Sequence, residues 1–229
     1  CSSSTTSASS GNNTITLTSL SDGTYSDCTI IVKDSAGNAS NTLAITSFVV
    51  LPSYVAVGQS GRILTSSNGT SWDNRSSGTT SNLIGVTYGN SKFLTLTGSM
   101  DSDTAATILT SSDGTTWTST SVKCSSCGDN SSQNSLNDVT YGNSTYVAVG
   151  QSGRILTSSN GTSWDNRSSG TTSNLIGVTY GNSKFLTLTG SMYSNSVATI
   201  LTSSSDGTTW TSSTSVTCSS CGDNSSNFN

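Results

Sequence analysis

Residues 54–100 read YVAVGQSGRILTSSNGTSWDNRSSGTTSNLIGVTYGNSKFLTLTGSM, and the same stretch recurs without a change at 146–192, displaced by 92 positions. The segments that follow the two copies, 101–133 and 193–229, are also alike, with additional serines in the second. Two super-repeats of 92 residues therefore dominate the chain of 229. Repetition at this scale predicts an array of similar structural units, each stacked on its neighbour.

Each super-repeat divides again at its tryptophans. Four tryptophans are spaced at nearly even intervals: Trp72, Trp117, Trp164 and Trp210. Each one ends a phrase of the form S-x-D/N-G-x-x-W and follows two alternating segments, YVAVG or FLTLTG and then RILTS or TILTS. Units two to four begin with a further segment that ends in VTYGN. Four short antiparallel strands in about 46 residues is the pattern of a propeller blade.

The phrase before each tryptophan is a hairpin signal. Asn-Gly or Asp-Gly between alternating segments favours a tight turn, in which the Asn or Asp side chain accepts backbone N–H bonds and Gly takes the positive φ. We expect the tryptophan to cover apolar surface between neighbouring hairpins. The predicted structural turn residues are Asn68, Gly69, Trp72, Asp113, Gly114, Trp117, Asn160, Gly161, Trp164, Asp206, Gly207 and Trp210.

These four phrases resemble the Asp-box, the hairpin of sialidase-like (BNR) propellers and of photosystem assembly-factor-like propellers. The resemblance implies a β-propeller-type domain at 47–229, made of four blades. Asn68 and Asn160 stand where the family prefers Asp, and Asn can still make the turn bonds. A sialidase also needs an arginine triad and a tyrosine nucleophile. The four arginines here are two residues repeated, Arg62/Arg154 and Arg75/Arg167, so only the hairpin carries over.

The first unit lacks a clear VTYGN strand. The segment SFVVLPSY (47–54) stands in its place, and Pro52 weakens its strand pairing. Four blades are the low end for a closed propeller. We expect the strand 47–51 to pair with the last blade and close the ring, or the array to continue, or to pair with another copy. The predicted fold is all-β, a small or incomplete propeller.

Residues 1–46 form a separate predicted unit. Segments 14–20, 28–34 and 41–48 alternate and predict three strands, with a turn at 21–25. Three strands bury too little apolar surface to be stable alone. The residues DGTYSDCTIIVKDSAGNASNTLAI resemble the last strands of a bacterial immunoglobulin-like repeat. The resemblance implies a partial Ig-like unit that lacks its first strands, which lie upstream or come from another chain.

Composition limits the classes of partner. Only 9% of residues are charged, the net charge is −4, and the eight basic residues are scattered, so nucleic acid is not an expected partner. No apolar run approaches the ~20 residues of a transmembrane helix. Hydrophobic residues make up 31%, yet β-branched and aromatic residues recur at regular spacing, which favours strands over disorder.

Six cysteines suggest disulfides in an oxidising compartment: Cys1, Cys28, Cys124, Cys127, Cys218 and Cys221. Cys1–Cys28 is the favoured pair in the N-terminal unit, with lipidation of Cys1 as the alternative. The other four lie in two copies of CSSCGDN. Two loop-closing disulfides are the simpler interpretation, and a zinc site from two C-x-x-C pairs is the alternative.

Candidates for catalysis are scarce. The chain has no His and no Glu, and the twelve acidic residues, all Asp, stand mostly in turn phrases. No nucleophile–base pair stands out, so no catalytic residue, cofactor or enzyme activity is predicted. Calcium is the one low-ranked ligand, at DSD (101–103) or DNSSQN (129–134), although neither segment has the spacing of a known calcium loop.

Taken together, these features predict a non-enzymatic, secreted or cell-surface protein of bacterial type. It would be structural or adhesive, and a homo-oligomer or homopolymer. The partial Ig-like unit could accept a strand from a neighbouring subunit and so build an extracellular filament. The alternative is a glycan-binding, lectin-like propeller, and a sialidase-like enzyme ranks lower.

Overall fold

In the computed structural model the described residues are 7–9, 11–17, 20–97, 107–121, 123–124, 135–190 and 199–212. Their regular structure is almost entirely β, with short 3₁₀ turns and no α-helix. The sheets are antiparallel apart from one parallel edge pairing. This confirms the all-β, propeller-like fold class predicted from the repeats.

The N-terminal part contains four short strands: β1 (Gly23–Tyr25), β2 (Thr29–Ile30), β3 (Leu43–Ala44) and β4 (Phe48–Val50). They form two separate two-stranded sheets, because β1 pairs with β4 and β2 pairs with β3. Ring stacking of Tyr25 on Phe48, with centroids 5.5 Å apart, supports the first pair. Isolated two-stranded sheets bury little apolar surface.

These strands differ from the expectation in position and in pairing. Residues 14–16 form no strand, and the turn expected at 21–25 contains β1. The segment 47–51, expected to close the ring on the last blade, contains β4, which pairs antiparallel with β1. Pro52 lies two residues after the end of β4 and has no N–H to donate, which separates β4 from the strands after it.

The repeats fold into successive antiparallel sheets, here called blades 1 to 4. Blade 1 comprises β5 (Tyr54–Val57), β6 (Ile63–Ser66) and β7 (Asp73–Arg75). Blade 2 comprises β8 (Leu83–Gly89), β9 (Lys92–Thr97), β10 (Thr107–Ser111) and β11 (Thr118–Ser121). The expectation of four strands in every blade is therefore wrong for blade 1, where β5 is an edge strand and the inner strand is absent from the described sheet.

Blades 3 and 4 repeat the four-stranded pattern. Blade 3 contains β13 (Leu136–Gly142), β14 (Thr145–Gly150), β15 (Ile155–Ser158) and β16 (Ser163–Arg167), and the preceding β12 (Lys123–Cys124) joins its outer edge in parallel with β16. Blade 4 contains β17 (Leu175–Gly181), β18 (Lys184–Thr189), β19 (Ile200–Ser203) and β20 (Trp210–Ser212). Each later blade thus begins with an inner strand that ends in Tyr-Gly.

The inner strands β8, β13 and β17 lie side by side in that order. A glycine of one strand receives the tyrosine ring of the next: Tyr141 packs on Gly89, and Tyr180 packs on Gly142. A Cβ atom at either glycine would overlap the ring. The sequence Tyr-Gly therefore provides both halves of the contact, a ring for the preceding blade and an open backbone for the following one.

The turns at one end of the blades add polar contacts between neighbours. Asn90, in the turn between the first two strands of blade 2, donates from Nδ2 to the Ser159 carbonyl of blade 3 at 3.4 Å. Lys92 donates to the Asn160 carbonyl, also at 3.4 Å. Asn143 of blade 3 donates to the Ser205 carbonyl of blade 4 at 2.9 Å. The same turn therefore contacts the tryptophan hairpin of the following blade.

The hydrophobic cores lie between blades. One cluster joins Leu94 and Ile108 of blade 2 to Tyr146 and Trp164 of blade 3, and a second joins Val147 of blade 3 to blade 4. The cluster between blades 1 and 2 has only three buried members: Ile63, Leu83 and Leu109. Fully burying one such aliphatic side chain contributes about 1.5–3 kcal/mol, so most of the core stabilisation lies in blades 2 to 4.

Buried hydroxyl groups complete the interior of a chain with few apolar residues. Thr95 and Thr187 are fully buried, and each donates to the carbonyl of a glycine in the adjoining inner strand, Gly85 or Gly177, at 2.8 Å. A buried hydroxyl that is hydrogen-bonded avoids the penalty of about 1–3 kcal/mol for an unpaired one. Thr can therefore occupy strand positions that face the core.

We predict that Gly142→Ala destabilises the protein by about 1–3 kcal/mol, because the new methyl group overlaps the Tyr180 ring. The matched control is Gly181→Ala, at the same position of blade 4, where no described atom lies within 4 Å of the added Cβ. Both glycines have an extended backbone, so strain does not separate them. Urea unfolding should show a large loss for the first variant only, and equal losses would contradict the packing.

Candidate functional site

The tryptophan hairpins, defined as residues 66–72, 111–117, 158–164 and 204–210, are closed by side-chain hydrogen bonds. In blade 1, Asn68 Oδ1 accepts the backbone N–H of Thr70 and of Ser71, each at 2.9 Å. Ser66 Oγ accepts the Gly69 N–H at 2.8 Å, and Gly69 has a φ of 76°. The Asn side chain thus satisfies turn donors that would otherwise be unpaired.

The other hairpins use the same donors with local differences. Asp113 Oδ1 accepts from Thr115 and Thr116 at 2.8 Å, and Asn160 Oδ1 accepts from Thr162 and Ser163 at 2.9 Å. In blade 4 the additional serine changes the turn. Asp206 Oδ1 accepts from the Thr208 N–H at 3.1 Å and from the Ser204 hydroxyl.

Hydrogen bonding holds the two hairpin carboxylates ionised. Burial raises the pKa of Asp113, but the N–H donors of Thr116 and Thr115 and the Ser111 hydroxyl outweigh it and hold that pKa below its ordinary value. The Ser204 hydroxyl, followed by the Thr208 donors, lowers the pKa of Asp206 to about 2 from 3.8. Both carboxylates therefore act as fixed acceptors at neutral pH.

The hairpin tryptophans differ in their hydrogen bonds and in how far they are buried. Trp117 and Trp210 donate from Nε1 to the hairpin glycine carbonyls, Gly114 at 3.1 Å and Gly207 at 2.8 Å. Trp164 is 2% exposed, and its Nε1 has no partner among the described residues. Trp72 has the same sequence neighbours as Trp164, yet it is 42% exposed. Its indole therefore lies at an uncovered surface of blade 1.

Two equivalent clefts lie at the opposite end of the strands from the hairpins. The first, of about 670 Å³, contains Arg62 and Arg75, and the second, of about 640 Å³, contains Arg154 and Arg167. The remaining lining is Ser, Thr, Gly and Asn, without an aromatic or aliphatic side chain. We name them the blade 1 cleft and the blade 3 cleft. Each cleft contains two arginines from one repeat, whereas the sequence analysis expected the four arginines to follow the repeat without converging on a site.

The two arginines of each cleft differ in their contacts. Arg167 donates from Nε to Thr157 Oγ1 at 2.8 Å and pairs with Asp165 at 3.1 Å. Arg154 has no ion pair within the described residues, its Nε is buried without a partner, and burial lowers the pKa of its guanidinium. A fixed arginine beside one with unused donors is suited to bind an oxyanion, because a guanidinium binds carboxylate or sulfate in bidentate fashion.

Asn137 and Asp138 break the repeat at the inner strands. They stand where the other two inner strands have Ile-Gly, at Ile84-Gly85 and Ile176-Gly177. Asp138 Oδ2 accepts the Val178 N–H at 2.9 Å, and Asn137 Nδ2 donates to the Leu175 carbonyl at 2.6 Å. The pair therefore links blade 3 to blade 4. The change from IGVTYGN to NDVTYGN was the available sequence signal, and sequence reasoning missed it.

The remaining predicted ligand sites fall largely outside the described residues. Cys28 is 2% exposed and is not a free thiol, but its predicted partner Cys1 lies outside them. The other cysteines, Cys124 Sγ included, and the calcium candidates 101–103 and 129–134 also lie outside the described positions or side chains. Among the side chains that the structure describes, no group of three metal-ligating residues occurs. The cysteine pairings stay predictions.

Comparison with known proteins gives similarity in fold. No family model matches the chain, and no curated protein matches it. Among solved structures, YCF48 bound to D1 peptide is 14% identical with a TM-score of 0.49, over 69% of this chain and 48% of that one. YCF48 from Cyanidioschyzon merolae is 18% identical, with a TM-score of 0.48, over 69% of this chain and 51% of that one.

A sialidase has a similarity in fold to this chain comparable to that of the YCF48 structures. The Trypanosoma rangeli sialidase in complex with the inhibitor DANA is 13% identical with a TM-score of 0.49, over 84% of this chain and 43% of that one. The chain thus spans about half the length of these structures.

Within the described residues, no helix is long and apolar enough to cross a membrane.

We predict that the hairpin carboxylates make stability sensitive to acid. The pKa of Asp206 is lowered on folding from 3.8 to about 2, so its contribution is present above pH 3.8 and is lost as the pH falls through about 2. The pKa of Asp113 is also lowered on folding, so this carboxylate likewise stabilises the folded protein less as the pH falls. The double variant Asp113→Asn/Asp206→Asn keeps the acceptor and cannot titrate, as at Asn68 and Asn160.

Urea unfolding of both proteins between pH 6 and pH 2 measures this effect. Below about pH 4 the original protein should lose more stability than the double variant, because it alone must protonate the two bonded carboxylates. Parallel pH profiles for the two proteins would show that the hairpin carboxylates do not contribute.

Proposed function

We propose that the protein is a non-enzymatic structural or adhesive module, secreted or at the cell surface, that assembles with copies of itself. The observation that carries the proposal is the state of the N-terminal strands. Both two-stranded sheets have open edges among the described residues, and apolar side chains beside them face solvent. Leu43 of β3 is 64% exposed, and Ile31, Val32 and Val49 are also exposed.

Such edges favour strand addition. An incoming strand would pair with the free N–H and C=O groups of an edge strand and cover the exposed apolar side chains. A contact between different surfaces of two copies propagates into a filament when its rotation does not close. The lack of His and Glu in the whole chain supports a role other than acid–base catalysis. A filament subunit would account for the open strand edges and for the lack of His and Glu.

We predict that Leu43→Arg removes the contacts made by strand addition and so shortens the filaments, since a charge on β3 disfavours strand addition and burial. Negative-stain electron microscopy and light scattering measure the outcome. The control is Ser112→Arg, which adds the same charge at an exposed position in a hairpin of blade 2. A native protein that stays monomeric and forms no fibres would contradict the filament role.

The second candidate is a glycan-binding propeller, which the paired clefts favour. Their hydroxyl and amide lining matches the hydroxyl groups of sugars, and their arginines match carboxylate or sulfate substituents. No aromatic side chain lines either cleft to stack on a neutral sugar ring. The ligand class is therefore an acidic polysaccharide, and two equivalent clefts would bind it with increased avidity.

We predict that the protein binds alginate or dextran sulfate, and neutral dextran far more weakly. Arg154→Gln should reduce binding about tenfold, the effect of about 1.4 kcal/mol, and Arg62→Gln/Arg154→Gln should reduce it further. Lys33→Gln removes one positive charge at an exposed site away from the clefts and is the control. Equal losses for Arg154→Gln and Lys33→Gln, measured by biolayer interferometry, would show only nonspecific attraction.

A further inference from the structure

The internal contact between blades 2 and 3 includes a set of interactions that uses no residue of β13. The Tyr146 hydroxyl donates to the Gly89 carbonyl, and Gly161 lies against Leu94. The side chains of Asn90 and Lys92 donate to two carbonyls of the blade 3 hairpin. We name this set the β14–hairpin contact. It joins the β8–β9 turn and the start of β9 in blade 2 to β14 and the tryptophan hairpin of blade 3.

The duplication of 54–100 at 146–192 provides every member of this contact a second time. The blade 2 side of the contact recurs in blade 4, where the identical residues are Gly181, Asn182, Lys184 and Leu186. The blade 3 side recurs in blade 1, where the identical residues are Tyr54, Ser67, Asn68 and Gly69. The described structure therefore contains this contact once, between blades 2 and 3. The two sides of the same contact occur again, without their partners, on blade 4 and on blade 1.

The two recurring faces are uncovered. Tyr54 is 52% exposed, whereas Tyr146, in the same sequence, is fully buried. Trp72 and Trp164 differ in the same direction. Leu186 is half-buried where Leu94 is fully buried, and Gly181 has open space beside it within the described structure. Because the local sequences are identical, the difference in burial comes from the surroundings. Tyr146 packs on Tyr141 of its own inner strand and against blade 2, whereas blade 1 has no inner strand in the described structure. Gly181 and Leu186 belong to blade 4, which no further blade follows among the described residues.

We propose that blade 4 of one copy packs against blade 1 of a second copy and reproduces the β14–hairpin contact between molecules. The Tyr54 hydroxyl of one copy donates to the Gly181 carbonyl of the other, and Leu186 covers Gly69. Asn182 and Lys184 donate to the carbonyls of Ser67 and Asn68. The contact is head-to-tail, so it extends into a filament or a ring, according to its rotation.

This inference rests on the self-assembly in the proposed function but assigns it to a different surface. The proposed strand addition uses β3 in the N-terminal part, whereas the head-to-tail contact uses blades 1 and 4. Blade 1 lacks an inner strand, so the contact between copies is smaller than the internal one. Each contact is therefore expected to be weak, and assembly should depend on protein concentration.

The test blocks each face separately. Tyr54→Arg places a charge on the blade 1 face, and Gly181→Arg fills the open space on the blade 4 face, where no described atom opposes a side chain. Both variants are made in the Leu43→Arg background, which blocks strand addition. Each one then keeps a single usable face and should remain monomeric in sedimentation velocity. An equimolar mixture should form heterodimers and nothing larger, because Tyr54→Arg contributes its blade 4 face and Gly181→Arg its blade 1 face. The original protein should form longer species.

Two further measurements keep the outcomes separable. Thermal unfolding by circular dichroism checks that both variants fold, and a variant that does not fold is replaced by Tyr54→Lys or Gly181→Lys. Leu43→Arg, which blocks the N-terminal edge, should leave the head-to-tail species intact. Assembly that is lost in Leu43→Arg and retained in the single variant Tyr54→Arg would overturn this inference and leave the strand-addition proposal standing. A mixture that stays monomeric, or variants that still form long species, would also overturn it.

Discussion

The fold depends on one recurring contact, in which the tyrosine ring at the end of an inner strand lies on the backbone of a glycine in the preceding blade. It occurs as Tyr141 on Gly89 and as Tyr180 on Gly142. The contact needs both partners, because any side chain at the glycine would displace the ring. In blades 2 to 4 the tyrosine ring that ends the inner strand also packs, with centroids 4.6–4.8 Å apart, against the aromatic second residue of the following strand. Aromatic pairs of this kind add about 0.5–1.5 kcal/mol beyond the area they bury.

This arrangement explains how a chain with 31% hydrophobic residues folds. Its apolar side chains are concentrated between blades, its Thr and Ser side chains pair with backbone groups, and its hairpins are closed by Asn or Asp. Each blade is consequently stabilised by its neighbours more than by its own interior, which is the behaviour of repeat proteins. A blade that lacks a neighbour on one side therefore leaves a large surface uncovered, as the exposed Tyr54 and Trp72 of blade 1 illustrate.

Much of the fold was predictable from the sequence, for reasons that are local. The spacing of Trp72 and its three counterparts fixed the repeat, and the Asn-Gly and Asp-Gly pairs located the hairpins, because turn chemistry depends on a few adjacent residues. The pairing of β4 with β1 was not predictable, because strand partners are chosen by long-range packing. The arginine clefts were also missed, since Arg154 and Arg167 meet only after the strands between them fold. Asp138 was visible as a break in the repeat, but its acceptor role toward Val178 depends on the position of blade 4.

Residues 54–57 of β5 and 146–149 of β14 have the same sequence, which allows a direct measurement of what the surrounding strands and blades contribute. Their amides have the same intrinsic exchange chemistry, so hydrogen exchange followed by NMR in dilute protein reports only the difference in surroundings. The amides of Tyr54–Val57 that do not bond to β6 should exchange far faster than the equivalent amides of β14. The difference between the two exchange rates should narrow at protein concentrations at which copies assemble. Equal protection of the two strands in the dilute monomer would contradict the claim that β5, without an inner strand and a packed neighbour on that side, is left uncovered.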